Sequence, residues 1–153
     1  MSIETARNIK KLADLGYLTS TYADFLYSGK GVPQNKKEAS YYYKLAADKG
    51  DAYSANKYAI MNFMGDGIPK NKSEGIKYSK LAADLGDVIS MLNYGKALYF
   101  GDTIPVNKQE ASRYFKMAAD NQNEEAAYTY SVMLHTGDGI PMDQLESIKY
   151  AKI

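Results

Sequence analysis

The sequence predicts an all-α fold, an α/α solenoid of four 36-residue helix–turn–helix repeats that follow one N-terminal helix. Six residue columns recur at this single interval, which is the signature of a repeat architecture. Within each interval, two segments of helical length are separated by glycine and proline. The columns are Gly29, Gly65, Gly101 and Gly137; Pro33, Pro69, Pro105 and Pro141; Tyr22, Tyr58, Tyr94 and Tyr130; Tyr42, Tyr78, Tyr114 and Tyr150; Glu38, Glu74, Glu110 and Glu146; and Lys44, Lys80, Lys116 and Lys152.

The same spacing divides the chain, which we treat as one repeat domain over residues 1–153. The first residues, 1–16, align with the second helix of a repeat and are therefore predicted to form an N-terminal helix. The last repeat stops before its second helix reaches full length. The four repeats span residues 17–50, 51–86, 87–122 and 123–153.

The second repeat shows how local sequence defines the first helix of each unit. The segment from Ala52 to Met64 has helical length and is followed by Gly65. Glycine adopts the left-handed conformation of a helix C-cap without steric cost. Pro69 cannot extend this helix, because proline lacks a backbone N–H and its ring clashes one turn back. The first helix is therefore expected to end at Gly65.

A capping box predicts the start of the second helix. In this motif Asn71 caps the helix and the Glu74 side chain reaches back to the backbone N–H of the cap. The helix is expected to run from about Lys72 to Leu85 and to stop at Gly86. Equivalent boxes begin at Asn35, Asn107 and Asp143.

The tyrosine columns are predicted to pack in the core. Small residues follow the first tyrosine in every repeat, and small side chains let neighbouring helices approach closely while the tyrosine fills the groove alongside. Residues one repeat apart lie on stacked units, so the tyrosines are not expected to converge on one ligand pocket. The small residues are Ala23, Ala59, Gly95 and Ser131.

Composition excludes several classes of function. The formal net charge is only +1, and no basic cluster is present, so neither nucleic acid nor an anionic membrane surface is an expected partner. The absence of cysteine rules out disulfides, thiolate metal sites and cysteine nucleophiles. No apolar run is long enough to span a bilayer, and the charged N-terminus does not resemble a signal peptide. We therefore expect no membrane insertion and a cytoplasmic location.

The candidate chemical groups have structural explanations. His135 is the sole histidine and occupies the column of Tyr27, Phe63 and Tyr99, so it is interpreted as a replacement for a packing aromatic. One histidine without cysteine cannot build an ordinary zinc site. The Gly-x-Gly turns follow helices and not strands, which argues against a dinucleotide-binding loop. We therefore predict no catalytic, cofactor-binding or metal-binding residues.

Columns whose residue type changes from repeat to repeat are candidates for a partner-binding face. A buried column tends to repeat its type, whereas a ligand-facing column can differ in every unit. Helical spacing places three such columns on one face of the first helix, and methionine is an adaptable residue at binding surfaces. Packing against the neighbouring helix is the alternative explanation. The predicted residues are Phe25, Lys57, Met61, Met64, Asn93, Phe100, Thr129 and Met133.

The repeat pattern resembles the Sel-one-like repeat family, which is related to the tetratricopeptide repeats. The match reads Ser90…Tyr94-Gly95…Gly101 in the first helix and Glu110-Ala111…Tyr114-Phe115-Lys116-Met117-Ala118-Ala119 in the second. Thr103 and Gln122 depart from the pattern, because each stands where glycine is expected. The resemblance implies a right-handed superhelix whose first helices line a concave face, and it implies an adaptor role.

Three functions follow as hypotheses. The first is a non-catalytic scaffold that binds a peptide or partner protein in the concave groove. The second is a structural or oligomerising segment of a longer repeat protein, with self-association through the C-terminal end, where the short final helix leaves Ile153 without a cap. The third is a hydrolase-like enzyme, which no acid–base or metal cluster supports.

Overall fold

The computed structural model describes residues 1–153 and contains nine α-helices and no strand, which confirms the predicted all-α repeat fold. Residues Met1–Leu85 and Gly86–Ile153 form two compact units, called unit 1 and unit 2 below. Consecutive helices pack on one another within each unit. The helices are α1 (Ile3–Asp14), α2 (Thr19–Ser28), α3 (Lys36–Asp48), α4 (Ala52–Met64) and α5 (Lys72–Asp84) in unit 1, and α6 (Val88–Phe100), α7 (Lys108–Asp120), α8 (Glu124–Thr136) and α9 (Gln144–Tyr150) in unit 2.

The glycine column ends the first helix of every repeat, as predicted. Gly65 follows α4 with a φ of 66°, and Gly101 follows α6 with a φ of 73°. The backbone N–H of Gly101 donates to the carbonyl of Ala97 at 2.9 Å, which satisfies one of the carbonyls left open at the helix end. Thr103 and Gln122 adopt positive φ angles of 70° and 65° although neither is glycine.

Half of the predicted capping box is present. The Asn71 Oδ1 atom accepts a hydrogen bond from the backbone N–H of Glu74 at 3.1 Å, which caps α5. The prediction that Glu74 reaches back to the cap was wrong. The backbone N–H of Asn71 instead donates to the carbonyl of Asn62 at 2.9 Å, so the end of one helix is tied to the start of the next.

The two tyrosine columns meet as pairs in the core, as expected. In each repeat the ring of the first helix packs edge-on against the ring of the second helix, the geometry that aromatic quadrupoles favour. Tyr58 and Tyr78 have centroids 4.6 Å apart, and Tyr130 and Tyr150 are 4.8 Å apart. The phenol of Tyr78 donates to Asp48 of the preceding repeat at 2.7 Å, which links successive repeats.

Side-chain volumes compensate one another between paired helices. Gly75 in α5 lies against Phe63, and a Cβ atom there would be 2.9 Å from the ring. In the fourth repeat Ser147 stands at the Gly75 position, and the hydroxyl of Ser131 in α8 donates to the carbonyl of Ser147 in α9 at 2.9 Å. The small residues therefore permit close helix packing, as the sequence predicted.

Candidate partner-binding site

The predicted partner-binding residues divide into buried and exposed side chains. Met61 and Met133 are each 2% exposed and belong to the core, so very little of either side chain reaches the surface. Each lies on the side of its helix that packs against neighbouring helices, which is the alternative that the sequence left open. The other predicted residues reach the surface in whole or in part: Phe25, Lys57, Met64, Asn93, Phe100 and Thr129.

Three of the predicted residues line one cleft in unit 2, namely Phe100, Thr129 and the buried Met133. This cleft lies between α6 and α8 and has a volume of about 320 Å³. It is called the α6–α8 cleft below. Asn93 lies on α6 outside the cleft, while Phe25, Lys57 and Met64 belong to unit 1.

Aromatic side chains form much of the α6–α8 cleft. Phe115 provides a buried surface, and Tyr99 packs edge-on against Phe100 with centroids 4.9 Å apart. Phe100 and Tyr128 are each 72% exposed. The cleft therefore has exposed apolar surface on both of its helices. Exposed apolar surface in a cleft is typical of a binding site.

An ion pair connects the two helices across this cleft. The Lys96 Nζ atom of α6 lies 2.5 Å from Glu125 Oε1 of α8, and both side chains are partly exposed. Thr129 donates its hydroxyl to the backbone carbonyl of Glu125 at 2.9 Å, so its polar atom is satisfied within α8. The ion pair supplies a polar rim beside the apolar wall, the arrangement found at protein interfaces.

A second polar network involves Tyr99, Lys108 and Asp138. Tyr99 donates its phenol proton to Asp138, and the Lys108 ammonium lies 2.7 Å from the same carboxylate. The hydrogen bond to the carboxylate raises the pKa of Tyr99, and the Lys108 ammonium lowers the pKa of Asp138. The network fixes the orientation of the Tyr99 ring.

Unit 1 contains the same network two repeats earlier. Tyr27 donates to Asp66 at 2.5 Å, and Lys36 contacts the same carboxylate at 2.6 Å. Gly67, in the turn that carries Asp66, would place a Cβ atom 2.2 Å from the Cβ of Lys36. The turn can therefore reach Lys36 only with glycine at this position, which explains the second glycine of the turn.

Unit 1 differs from unit 2 in what covers the tyrosine. Lys57, the counterpart of Thr129, places its Nζ atom 5.6 Å from the centroid of Tyr27 and 5.5 Å from that of Tyr53. Tyr53 donates to Asp24 at 2.8 Å. Burial and this hydrogen bond raise the pKa of Tyr53 to about 12.

Sequence reasoning missed several cleft residues, of which Lys96, Glu125, Tyr128 and Val132 are the clearest. The signal that could have identified them was available, because Tyr128 corresponds to Asn56 and Leu92 and thus also changes type between repeats. The prediction followed three columns of the first helix and left the adjacent columns out.

His135 does not pack like the aromatics of its column. It lies exposed on α8, where its Nδ1 atom is 2.7 Å from Gln144 Oε1. The Gln144 amide donates in turn to the backbone carbonyl of His135 at 3.1 Å, which joins α8 to α9. No three His, Asp or Glu side chains come together in a group that could hold a metal ion, and none of the nine helices has the length and apolar character needed to cross a membrane.

Comparison with known families decides the assignment. The Sel1 repeat matches four consecutive segments, residues 12–51, 52–87, 88–123 and 124–153. The chain belongs to the Sel1 repeat family. Proteins of the Sel1 family are generally scaffolds for protein–protein interaction and are typically non-catalytic. A sequence search found no match among curated proteins.

Solved structures with Sel1-type folds are similar to the chain. A Sel1 repeat protein from Oxalobacter formigenes has a TM-score of 0.76 at 22% identity, covering 97% of this chain and 62% of its own. A protective antigen of uropathogenic Escherichia coli with an SLR fold has a TM-score of 0.78 at 26% identity, and the match covers 92% of this chain and 31% of the antigen. Helicobacter pylori cysteine rich protein B has a TM-score of 0.56 at 17% identity, and the match covers 76% of this chain and 84% of that protein. The chain thus spans less than two thirds of the first two proteins.

Proposed function

We propose that the chain is a non-catalytic scaffold that binds a protein or peptide partner through the α6–α8 cleft. The observation that carries this proposal is the pair of exposed aromatics on the two helices of the cleft, Phe100 and Tyr128, each 72% exposed. Family membership supports a protein as the partner, since Sel1 proteins generally bind proteins.

The shape and polarity of the cleft suit a side chain of a partner better than a flat contact. It has a volume of about 320 Å³, and Phe115 forms an apolar surface within it. Interface energy usually concentrates in a few central aromatic residues, while a polar rim excludes water and contributes little. Phe100 and Tyr128 are the central residues in this proposal, and the Lys96–Glu125 pair is the rim.

The experiment is a binding measurement with a partner that has been captured from the source cells, identified and purified. Serine is the natural replacement for Phe100, because Ser28 occupies the equivalent position in unit 1. We expect Phe100→Ser to weaken binding by about 10-fold, which corresponds to ~1.4 kcal/mol. Isothermal titration calorimetry would measure the change in affinity.

A matched control is available on the same helix. Ile89 is also an exposed apolar residue of α6, but it does not line the cleft. Ile89→Ser should leave the affinity unchanged, and circular dichroism should show the same helix content in both variants. If Phe100→Ser and the wild type bound the partner with equal affinity, the partner would bind another surface and the proposal would be wrong.

Self-association is a second candidate function, favoured by the exposed side chains of α9. Ile148 is 54% exposed although its counterparts in the first three repeats, Ser40, Ile76 and Ser112, are buried. Leu145 lies one turn earlier on α9 and is also exposed. Sedimentation velocity should then show a concentration-dependent dimer that Leu145→Lys abolishes. A monomer at all concentrations would exclude this role.

A further inference from the structure

In unit 1 the chain itself supplies an ammonium group to the counterpart of the α6–α8 cleft. Tyr27 has two lysines near its ring, with Lys36 Nζ at 4.9 Å and Lys57 Nζ at 5.6 Å from the centroid. A cation within about 6 Å of an aromatic centroid is attracted by the ring quadrupole. Lys57 also lies near Tyr53, so its ammonium group contacts two rings.

Unit 2 retains the first of these cations and replaces the second. Lys108, the counterpart of Lys36, places its Nζ atom 4.7 Å from the centroid of Tyr99. Thr129, the counterpart of Lys57, is short and uncharged, and its hydroxyl bonds within α8. A cleft of about 320 Å³ lies beside Thr129 and Tyr99.

The groups around this cleft suit a cation with an aliphatic stem. Tyr99, Phe100 and Tyr128 offer aromatic rings, and Val132 adds apolar surface. The charges of the cleft balance, because Lys96 pairs with Glu125 and Lys108 pairs with Asp138. Because both carboxylates already have a lysine partner, the attraction for a further cation would come from the faces of the aromatic rings. The aliphatic stem would cover the apolar wall.

We infer that the α6–α8 cleft binds a lysine or arginine side chain of the protein partner, with its cationic group over Tyr99 as Lys57 lies over Tyr27. This inference rests on the proposed function, since it names the partner side chain that the same cleft accepts. The cationic nature of the partner side chain is inferred from Lys57, which occupies the equivalent position in unit 1.

The test is an NMR titration of the full chain with two small probes, N-acetyl-lysine-N-methylamide and N-acetyl-norleucine-N-methylamide. Norleucine has the aliphatic stem of lysine without the ammonium group. We expect the lysine probe to shift amide resonances of α6 and α8 and to bind at least about 3-fold more tightly than the norleucine probe. Raising the salt concentration should reduce the difference.

Reciprocal substitutions provide the sharper test. Thr129→Lys should supply an internal ammonium group and abolish binding of the lysine probe. Thr129→Val should retain this binding, because valine has nearly the same shape as threonine. Lys57→Thr should uncover Tyr27 and Tyr53 and create a second but weaker site, because Ser28 and Asn56 stand where Phe100 and Tyr128 line the cleft. The lysine probe should then also shift resonances of α2 and α4. Thermal melts of each variant would verify that the fold is retained.

Two results would overturn the inference. One is norleucine binding as tightly as lysine, which would make the cleft a purely apolar pocket. The other is the absence of any shift in α6 and α8 with the lysine probe. Neither result bears on the scaffold proposal, which fails only if Phe100→Ser leaves partner affinity unchanged.

Discussion

A Cβ atom on Gly95 would lie 2.8 Å from the ring of Phe115. Gly95 belongs to α6 and Phe115 to α7, and the ring is almost completely buried. The second and fourth repeats have alanine or serine at the Gly95 position and a small residue, Ser79 or Ala151, at the Phe115 position, while the first repeat has Ala23 and Tyr43. The two residues therefore fit each other, and neither can be exchanged alone without a cost.

Gly95→Ala should lower the free energy of unfolding of the chain. The added methyl group would overpack a buried contact, which typically costs about 1–3 kcal/mol, and the better helix propensity of alanine would offset up to about 1 kcal/mol of that cost. Urea denaturation would measure the net loss. In a double-mutant cycle with Phe115→Leu, the double mutant should be more stable than the sum of the single effects predicts; simple additivity would contradict the contact.

Asn62→Leu should stabilise the protein by about 1 kcal/mol, because it removes buried polar atoms and adds apolar volume. Asn62 is buried in α4, where its amide donates to the carbonyl of Tyr58 at 2.8 Å. The other repeats carry buried leucines at this position, Leu26, Leu98 and Leu134. Asn62→Ala is the control and should destabilise, since it leaves space unfilled. A lower melting temperature for Asn62→Leu would show that this site does not accept the leucine shape.

Gln122→Gly should also raise stability. Gln122 has a φ of 65°, whereas Gly50 and Gly86, its counterparts, adopt φ angles of 96° and 103° without strain. A left-handed conformation costs a residue with a Cβ atom roughly 1–2 kcal/mol, and glycine would relieve most of it. Chemical denaturation should show a gain of about 1 kcal/mol, while Gln122→Ala, which keeps the Cβ atom, should show none. Equal stability of the glycine and alanine variants would exclude backbone strain at this turn.

Alkaline pH should unfold the chain through its core tyrosines. Burial raises the pKa of Tyr42 and of Tyr130 to about 12, against about 10 in an unfolded chain. The neutral phenol is therefore favoured by folding, and this stability is complete below pH 10 and lost as the pH rises towards 12. Absorbance of tyrosinate at 295 nm and helix content by circular dichroism should change together. Tyr130→Phe should reduce the pH dependence, and ionisation of all tyrosines with the helices intact would refute the prediction.

The sequence by itself determined the repeats, the helix bounds and the core columns. The recurrence of Gly65 and Pro69 defines helix ends through local backbone geometry, which depends on no distant residue. The tyrosine pairs were predictable for a related reason. Every repeat must bury the same face against the next helix, so the same residue type returns at the same interval.

Only the tertiary structure decided where the variable residues lie and what the polar groups bond. Met61 and Met64 are one turn apart on α4 and look equivalent in sequence, but one is buried and the other exposed. The backbone N–H of Asn71 bonds to Asn62 and not to Glu74, since the turn folds back on the preceding helix. The α6–α8 cleft likewise requires side chains from three helices. Its shape also depends on Thr129, whose counterpart in unit 1, Lys57, covers Tyr27. Which ring a side chain covers is set by packing between helices, and no local sequence pattern shows it.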